Sequence, residues 1–149
     1  MKLNWLHMAA NSKFSVAVHA LSVLGYYGSA EQPLTSEIVA SSVNTNPVVI
    51  RRLLSSLKEA GLVESQPGNQ GGLKLAKRPE DITLSDIYRA LEPERFMSIH
   101  GNKENKKCDV SRNIKPILND VIDQTENALS SELQKTTLAD LVKKIKGKV

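Results

Sequence analysis

The chain has little cysteine and no long apolar run. Its one cysteine, Cys108, excludes an internal disulfide framework. No window reaches the roughly 18 apolar residues that a membrane-spanning helix needs, and residues 1–11 lack the apolar centre of a signal peptide. We therefore expect a cytoplasmic protein without a membrane partner, in which residues 1–11 form a short N-terminal extension.

Recognisable catalytic and metal-binding patterns are also missing. The sequence has no Ser-His-Asp set and no cluster of metal-ligand residues. Residues 68–72 are rich in glycine, but they join two strand candidates and so are not a nucleotide-binding fingerprint. His19 falls within a helix candidate, where a structural role is the ordinary one. The sequence therefore predicts neither an enzyme nor a metal or cofactor site.

Composition and charge fit an ordinary globular domain with an anionic partner. The 149 residues are 40% hydrophobic and 24% charged, as in a single domain with a real core. The net charge is +4, and the isoelectric point is about 9.2. This basic balance gives mild support to nucleic-acid binding.

Residues 44–75 are the most informative stretch. Asn46 can cap a helix, and Pro47 suits its first position, where a missing N–H costs nothing. Gly61 marks its end. An apolar stripe at positions i, i+3, i+4 and i+7 predicts that one face of this helix is buried. The stripe is formed by Ile50, Leu53, Leu54 and Leu57.

The opposite face of this helix is free to meet a partner. At 100° per residue it is centred on Val48, Arg52, Ser55 and Glu59, with Arg51 to one side. Arginine can bind a guanine edge bidentately or pair with phosphate. The alternative is that both arginines only solvate an outer helix face.

The flanking segments complete a winged helix-turn-helix pattern. Thr35 can cap a short helix over residues 36–43, which a tight turn joins to the arginine helix. Residues 62–65 and 73–75 are strand candidates with a glycine-rich connection, which predicts the hairpin called a wing. Glycine lets a backbone approach a sugar-phosphate ridge closely, although any hairpin needs glycine. The predicted fold is mainly α with a small β-hairpin wing.

The remaining chain predicts a dimerisation element. Residues 12–92 form the expected DNA-binding domain, 93–112 a polar loop, and 113–149 a long helix followed by a short one. The long helix has apolar residues on more than one face, so we expect it to pack on its own domain and on a second copy. A monomer with a well-covered central helix is the alternative. The expected dimerisation residues are Ile114, Ile117, Leu118, Val121 and Ile122.

Cys108 is a candidate redox sensor. It follows Lys106 and Lys107 and precedes the long helix, and both cations and a helix N-terminus stabilise a thiolate. The thiolate is the form that oxidants attack. The alternative is an ordinary free cysteine without a function.

Five runs of sequence, in this order of elements, carry a resemblance to a known family. They are residues 42–49, 51–53, 57–63, 71–72 and 137–142. The chain resembles the Rrf-two (BadM-type) family of bacterial transcription regulators from about residue 12 to 146, and within it the YwnA-like branch that has no iron–sulfur cluster.

The resemblance implies a homodimer crossed at the long helix, with recognition-helix contacts in the major groove and wing contacts in the minor groove of double-stranded DNA. The DNA-binding residues that it and the helix face suggest are Thr35, Asn46, Val48, Arg51, Arg52, Ser55, Gly68, Asn69 and Gln70.

Two departures from the family pattern limit this comparison. Pro67 stands at the wing turn where other members have an arginine, which puts minor-groove readout by an arginine in doubt. Cluster-binding members supply three cysteines before the long helix, whereas this chain has only Cys108, so no iron–sulfur cofactor is expected.

The predicted function is therefore sequence-specific DNA binding by a homodimeric transcription repressor that responds to oxidants through Cys108. The rival is a winged-helix protein-interaction module in which Val48 and Val49 are exposed anchors. The sequence does not identify the effector, whether small molecule or oxidant.

Overall fold

The computed structural model describes residues 10–29, 31–91 and 95–149. Most of the predicted extension, residues 1–9, lies outside this part of the chain. The fold is mainly helical with one two-stranded antiparallel hairpin, which confirms the predicted class. The elements are α1 (Ala10–Tyr27), α2 (Ser36–Val43), α3 (Pro47–Glu59), β1 (Val63–Gln66), β2 (Gly72–Leu75), α4 (Leu84–Ala90), α5 (Asp109–Gln134) and α6 (Leu138–Lys146).

Helix α1 lies at the centre of the apolar core. Its buried face packs against α2, α3, α4 and α6, so five helices share one core. Fully buried Leu21 contributes from α1, Ile50 and Leu53 from α3, and Leu138 from α6. The short helices are therefore held in place by burial of their apolar faces, which stabilises them far more than helix propensity does.

Local caps set the helix-turn-helix. The Asn46 side chain accepts a hydrogen bond from the Val48 N–H at 2.8 Å, and Pro47 begins α3, as predicted. The Thr35 hydroxyl accepts from the Ile38 N–H at 3.3 Å and caps α2. Asn44 has a φ of 58°, in the left-handed region, and its short polar side chain tolerates this conformation. The turn between α2 and α3 is therefore fixed by residues within it.

A backbone bridge ties the hairpin to the chain before α2. Strands β1 and β2 pair from Val63 with Leu75 to Gln66 with Gly72. Leu34 and Leu73 also exchange two backbone hydrogen bonds, of 2.9 and 2.7 Å. A Cβ at Gly72 would lie 2.7 Å from the Leu34 carbonyl oxygen, so this close approach requires glycine. The wing, residues 63–75, is thus attached to the helix-turn-helix in two places. It follows α3 along the chain, and its second strand pairs with Leu34 just before α2.

The C-terminal helix joins the core formed by the first four helices. Thr83 with Asp86 and Thr137 with Asp140 form capping boxes at the starts of α4 and α6. The two caps pair in an antiparallel bridge, in which the Leu138 N–H donates to the Ile82 carbonyl at 2.8 Å. Helix α6 then packs on α1. The bridge between Thr83 and Thr137 therefore brings the starts of α4 and α6 together.

Helix α5 begins at Asp109, four residues before the predicted start at Asn113. The Cys108 carbonyl accepts from the Arg112 N–H at 3.1 Å, which extends the helix into the polar segment. The preceding loop returns along α5, where Arg95 pairs with Asp123 and with Glu126. None of the helices in the described ranges is long and apolar enough to cross a membrane.

Candidate nucleic-acid interface

The outward face of α3 is held by a buried apolar face behind it. Five residues of the helix are buried, namely Val49, Ile50, Leu53, Leu54 and Leu57. On the other side Val48 is 50% exposed, and Arg52 and Ser55 are also exposed. The predicted stripe is correct, and Val49 widens it. Because the buried side fixes the rotation of the helix, Val48, Arg52 and Ser55 share one solvent-facing surface.

Arg52 lies on this surface with its charge uncompensated. Within the described part of the chain, its guanidinium forms no hydrogen bond and no ion pair. A guanidinium carries five N–H donors in a planar fork that matches both phosphate and a guanine edge. All of those donors are therefore available to a ligand that approaches α3.

Arg51 differs from Arg52 because it already has partners on α2. Its Nη2 donates to Glu37 Oε1 at 2.7 Å, and its Nε donates to Ser36 Oγ at 3.4 Å. The hydrogen bond from the Arg51 guanidinium lowers the pKa of Glu37 below the ordinary value of a glutamate. Both side chains are more than half exposed, and an ion pair in that setting contributes little to folding stability.

A groove of about 520 Å³ separates α3 from the wing. Its lining includes Ser36 and Glu37 from α2, Arg51 and Ser55 from α3, and Pro67 and Gly68 from the wing. Lys58 Nζ donates to Ser65 Oγ at 3.0 Å and so connects the end of α3 to β1.

The wing tip is exposed from Pro67 to Gln70. Gly68 has a φ of 107°, which residues with a side chain rarely adopt, and the Gly71 N–H donates to the Gly68 carbonyl at 3.0 Å. The turn is therefore narrow, with Asn69 and Gln70 projecting at its end. Their amide groups can donate and accept hydrogen bonds.

The nine residues of the predicted DNA-binding set fall within the helix-turn-helix and the wing. Thr35, Arg51, Ser55 and Gly68 line the groove between them, and Val48 and Arg52 are exposed on α3. The Asn46 side-chain oxygen is occupied by its cap. The remaining two, Asn69 and Gln70, are exposed at the wing tip.

Sequence reasoning missed five polar residues of the groove: Ser36, Glu37, Lys58, Ser65 and Gln66. Glu37 lies in the first turn of α2, where an acidic residue is common because the helix dipole favours it. The only feature of the sequence that could have indicated Glu37 is its charge, which is opposite to that of Arg51 on the neighbouring helix. Which of the two arginines meets the carboxylate depends on how α2 and α3 cross.

The interpretation of Val49 as an exposed anchor is wrong. Val49 is 7% exposed and packs with the buried side of α3. Because successive residues of a helix are 100° apart, Val49 is turned from the direction of Val48 toward the core. Of the two valines suggested for a protein-interaction surface, only Val48 is exposed.

The apolar residues of α5 divide between its own chain and solvent. Ile122 is 6% exposed, whereas Ile117 is 57% and Val121 is 51% exposed. Leu118 is also exposed, and Ile114 is half-buried. Cys108 stands at the N-cap of the same helix, half-buried, and its side chain forms no capping hydrogen bond.

Comparison with known proteins gives a consistent family. The family profile Rrf2, described as an iron-dependent transcriptional regulator, matches residues 10–144. The chain is 39% identical over 133 residues to YwnA of Bacillus subtilis (strain 168), provisionally named an HTH-type transcriptional regulator; the match covers 89% of this chain and 96% of YwnA.

Two further relatives agree with it. The HTH-type transcriptional regulator CymR of Bacillus subtilis (strain 168) is 32% identical over 96 residues, which are 64% of this chain and 70% of CymR. The structure of IscR from T. potens aligns with a TM-score of 0.68 and 25% identity, and covers 95% of this chain and 91% of that one.

The iron in the family description does not fit the donors of this chain. An iron–sulfur cluster is held by several cysteine thiolates, or by cysteines together with histidines. The sequence has one cysteine, and residues 10–29, 31–91 and 95–149 contain no group of three His, Cys, Asp or Glu side chains that could hold a metal ion. No chemistry is therefore assigned to iron here.

Proposed function

The chain belongs to the Rrf2 family of transcriptional regulators, and from this premise we propose that it is a homodimeric repressor that binds specific DNA sequences in the cytoplasm. Helix α3 enters the major groove with Val48, Arg52 and Ser55 toward the bases. The wing tip, with Asn69 and Gln70, follows the adjacent minor groove. A bound dimer then occupies promoter DNA and blocks transcription.

The single observation that carries this proposal is the unpaired Arg52 guanidinium on the exposed face of a rigidly backed helix. Five buried residues fix the rotation of α3, so the face on which Arg52 stands is set before DNA arrives. Because the guanidinium has no partner among the described residues, it breaks no contact within its own chain when it binds DNA. The same geometry occurs in helix-turn-helix proteins, where residues near the recognition-helix N-terminus contact base edges.

The exposed face of α5 supports the proposed dimer. Ile117 and Val121 lie four residues apart on one face of the helix and are each more than half exposed. Leu118 extends this apolar surface, and Ile122 is excluded from it because it packs within its own chain. A twofold partner would cover the surface and place two α3 helices one or more DNA turns apart.

Cys108 supports a redox response of the same dimer. It is half-buried at the start of α5, the helix that carries the proposed dimer surface. Two thiols from two subunits would form one disulfide, while an oxidant accepts two electrons and two protons. The bridge needs Cα atoms within about 7 Å of each other. Oxidation at this position would alter the relation of the subunits and so the spacing of the α3 helices.

The first test is Arg52→Ala, with Arg112→Ala as the control. Arg112 is an exposed arginine on α5 that pairs with Asp109, so its removal changes net charge equally. On a duplex enriched by the wild-type protein from random sequence, we expect Arg52→Ala to lose about 1–3 kcal/mol of binding free energy. Equal affinities for wild type and Arg52→Ala in a fluorescence-anisotropy titration would contradict the proposal.

Salt dependence separates DNA binding from an apolar protein contact. A protein that neutralises several phosphates loses affinity steeply with salt, because bound counterions are released on association. We expect the Arg52→Ala variant to show a shallower slope than wild type. A slope near zero for wild type would instead favour the protein-interaction module.

A further inference from the structure

The Arg51 guanidinium is held along one edge only. Its Nε donates to Ser36 Oγ and its Nη2 donates to Glu37 Oε1. These two nitrogens form the same lateral edge of the planar group. Of the five N–H donors of a guanidinium, those of Nη1 and the second one of Nη2 remain. The free donors form the terminal edge, which can make two parallel hydrogen bonds.

We propose that Glu37 and Ser36 are positioning residues that aim the terminal edge of Arg51 at a base. This inference rests on the proposed DNA-binding function and names a determinant of its sequence specificity. Two parallel donors are what guanine O6 and N7 require. The lateral contacts fix the plane of the group, so Arg51 presents one geometry to the groove.

The charge of Glu37 supports the same role. Phosphate contacts position a protein on DNA but carry no sequence information. A carboxylate 2.7 Å from Nη2 offsets the charge that would attract Arg51 to phosphate, and it repels phosphate itself. Arg51 is therefore disposed toward base edges, whereas the unpaired Arg52 can neutralise phosphate as well.

The pair can be removed without loss of the fold. Glu37 and Arg51 are exposed, and exposed ion pairs contribute little to stability. Thr35 rather than Glu37 supplies the side-chain cap of α2. Thermal unfolding of Glu37 variants should therefore match that of wild type, and binding changes can be assigned to the orientation of Arg51.

The test compares two duplexes: one enriched by the wild-type protein from random sequence, and one of the same composition in shuffled order. We expect Glu37→Ala to reduce the ratio of the two affinities about tenfold, mainly because binding to the shuffled duplex is retained. Glu37→Gln keeps an oxygen that can accept from Nη2 and should lie closer to wild type. Glu31→Ala is the control, because it removes the same charge from an exposed position before α2, outside the proposed DNA-binding set, and should change both affinities alike.

A double-mutant cycle assigns the effect to Arg51. In an Arg51→Ala background, Glu37→Ala should cause no further loss of the ratio. The inference is overturned if Glu37→Ala discriminates as well as wild type, or if its loss persists without Arg51. A wild-type protein that does not distinguish the duplexes would overturn the proposed function itself, so the two failures are separable.

Discussion

At the scale of single residues, Arg51 and Arg52 show how neighbours with the same charge acquire different roles. The helical period alone places Arg52 at the centre of the exposed face and Arg51 to one side. Only the crossing of α2 and α3 brings Glu37 within 2.7 Å of Arg51. Helix periodicity could therefore identify the outward face of α3, but it could not identify which arginine pairs with Glu37.

Cys108 carries a prediction at the same scale. If its thiol is a sensor, a diamide-type oxidant should weaken DNA binding by wild-type protein and leave Cys108→Ser unaffected, since this is the only cysteine of the chain. The measurement is DNA affinity before and after oxidation, with non-reducing gel electrophoresis to detect a bridge between subunits. Equal responses of the two proteins would remove the proposal.

At the scale of elements, the starts of four helices were predictable because caps are local. Asn46, Thr35, Thr83 and Thr137 each accept a hydrogen bond from an N–H two or three residues along the chain. Such contacts need no tertiary structure. The start of α5 was less predictable, because its first turn has a single apolar residue, the exposed Val110, and so no apolar periodicity marks it.

The capping box of α6 gives a prediction about pH. The hydrogen bond from the Thr137 backbone N–H lowers the pKa of Asp140 below its ordinary value. A carboxyl with a lowered folded-state pKa stabilises the fold above its unfolded pKa, and this contribution is lost as pH falls through the folded value. We expect Asp140→Asn to be less stable than wild type above about pH 5, and the difference to narrow below about pH 4.

Urea unfolding at pH 7 and at steps down to pH 3 measures this difference. Asp120→Asn is the matched control, because Asp120 is an exposed aspartate on α5 that forms no hydrogen bond with the described residues. The difference in unfolding free energy between Asp120→Asn and wild type should not follow the pattern expected for Asp140→Asn. A constant offset for Asp140→Asn across the whole range would contradict the assigned role of this cap.

At the scale of the whole molecule, α5 carries the prediction of a dimer. Val121→Glu places a charge in the proposed apolar contact, where burial without a partner is strongly unfavourable. We expect sedimentation to show a shift from dimer to monomer and, with it, weaker operator binding. The fold should persist, because Val121 is 51% exposed in the single chain.

The control for this experiment is Gln124→Glu, which adds the same charge at an exposed polar position of α5. It should leave the dimer intact. A wild-type protein that sediments as a monomer at micromolar concentration would argue for the alternative of a covered central helix. If both variants dissociate to the same extent, the added charge and not the loss of the apolar contact would be the cause.

The sequence by itself determined the elements, their caps and the outward face of α3, because apolar periodicity and cap hydrogen bonds act over a few residues. Tertiary structure alone decided the contacts between distant segments. It paired Leu34 with Leu73, joined Thr83 to Thr137, and buried Ile122 while leaving Ile117 exposed. It also gave Arg51 its carboxylate partner. These outcomes depend on how helices cross and pack, and a local sequence pattern does not encode that geometry.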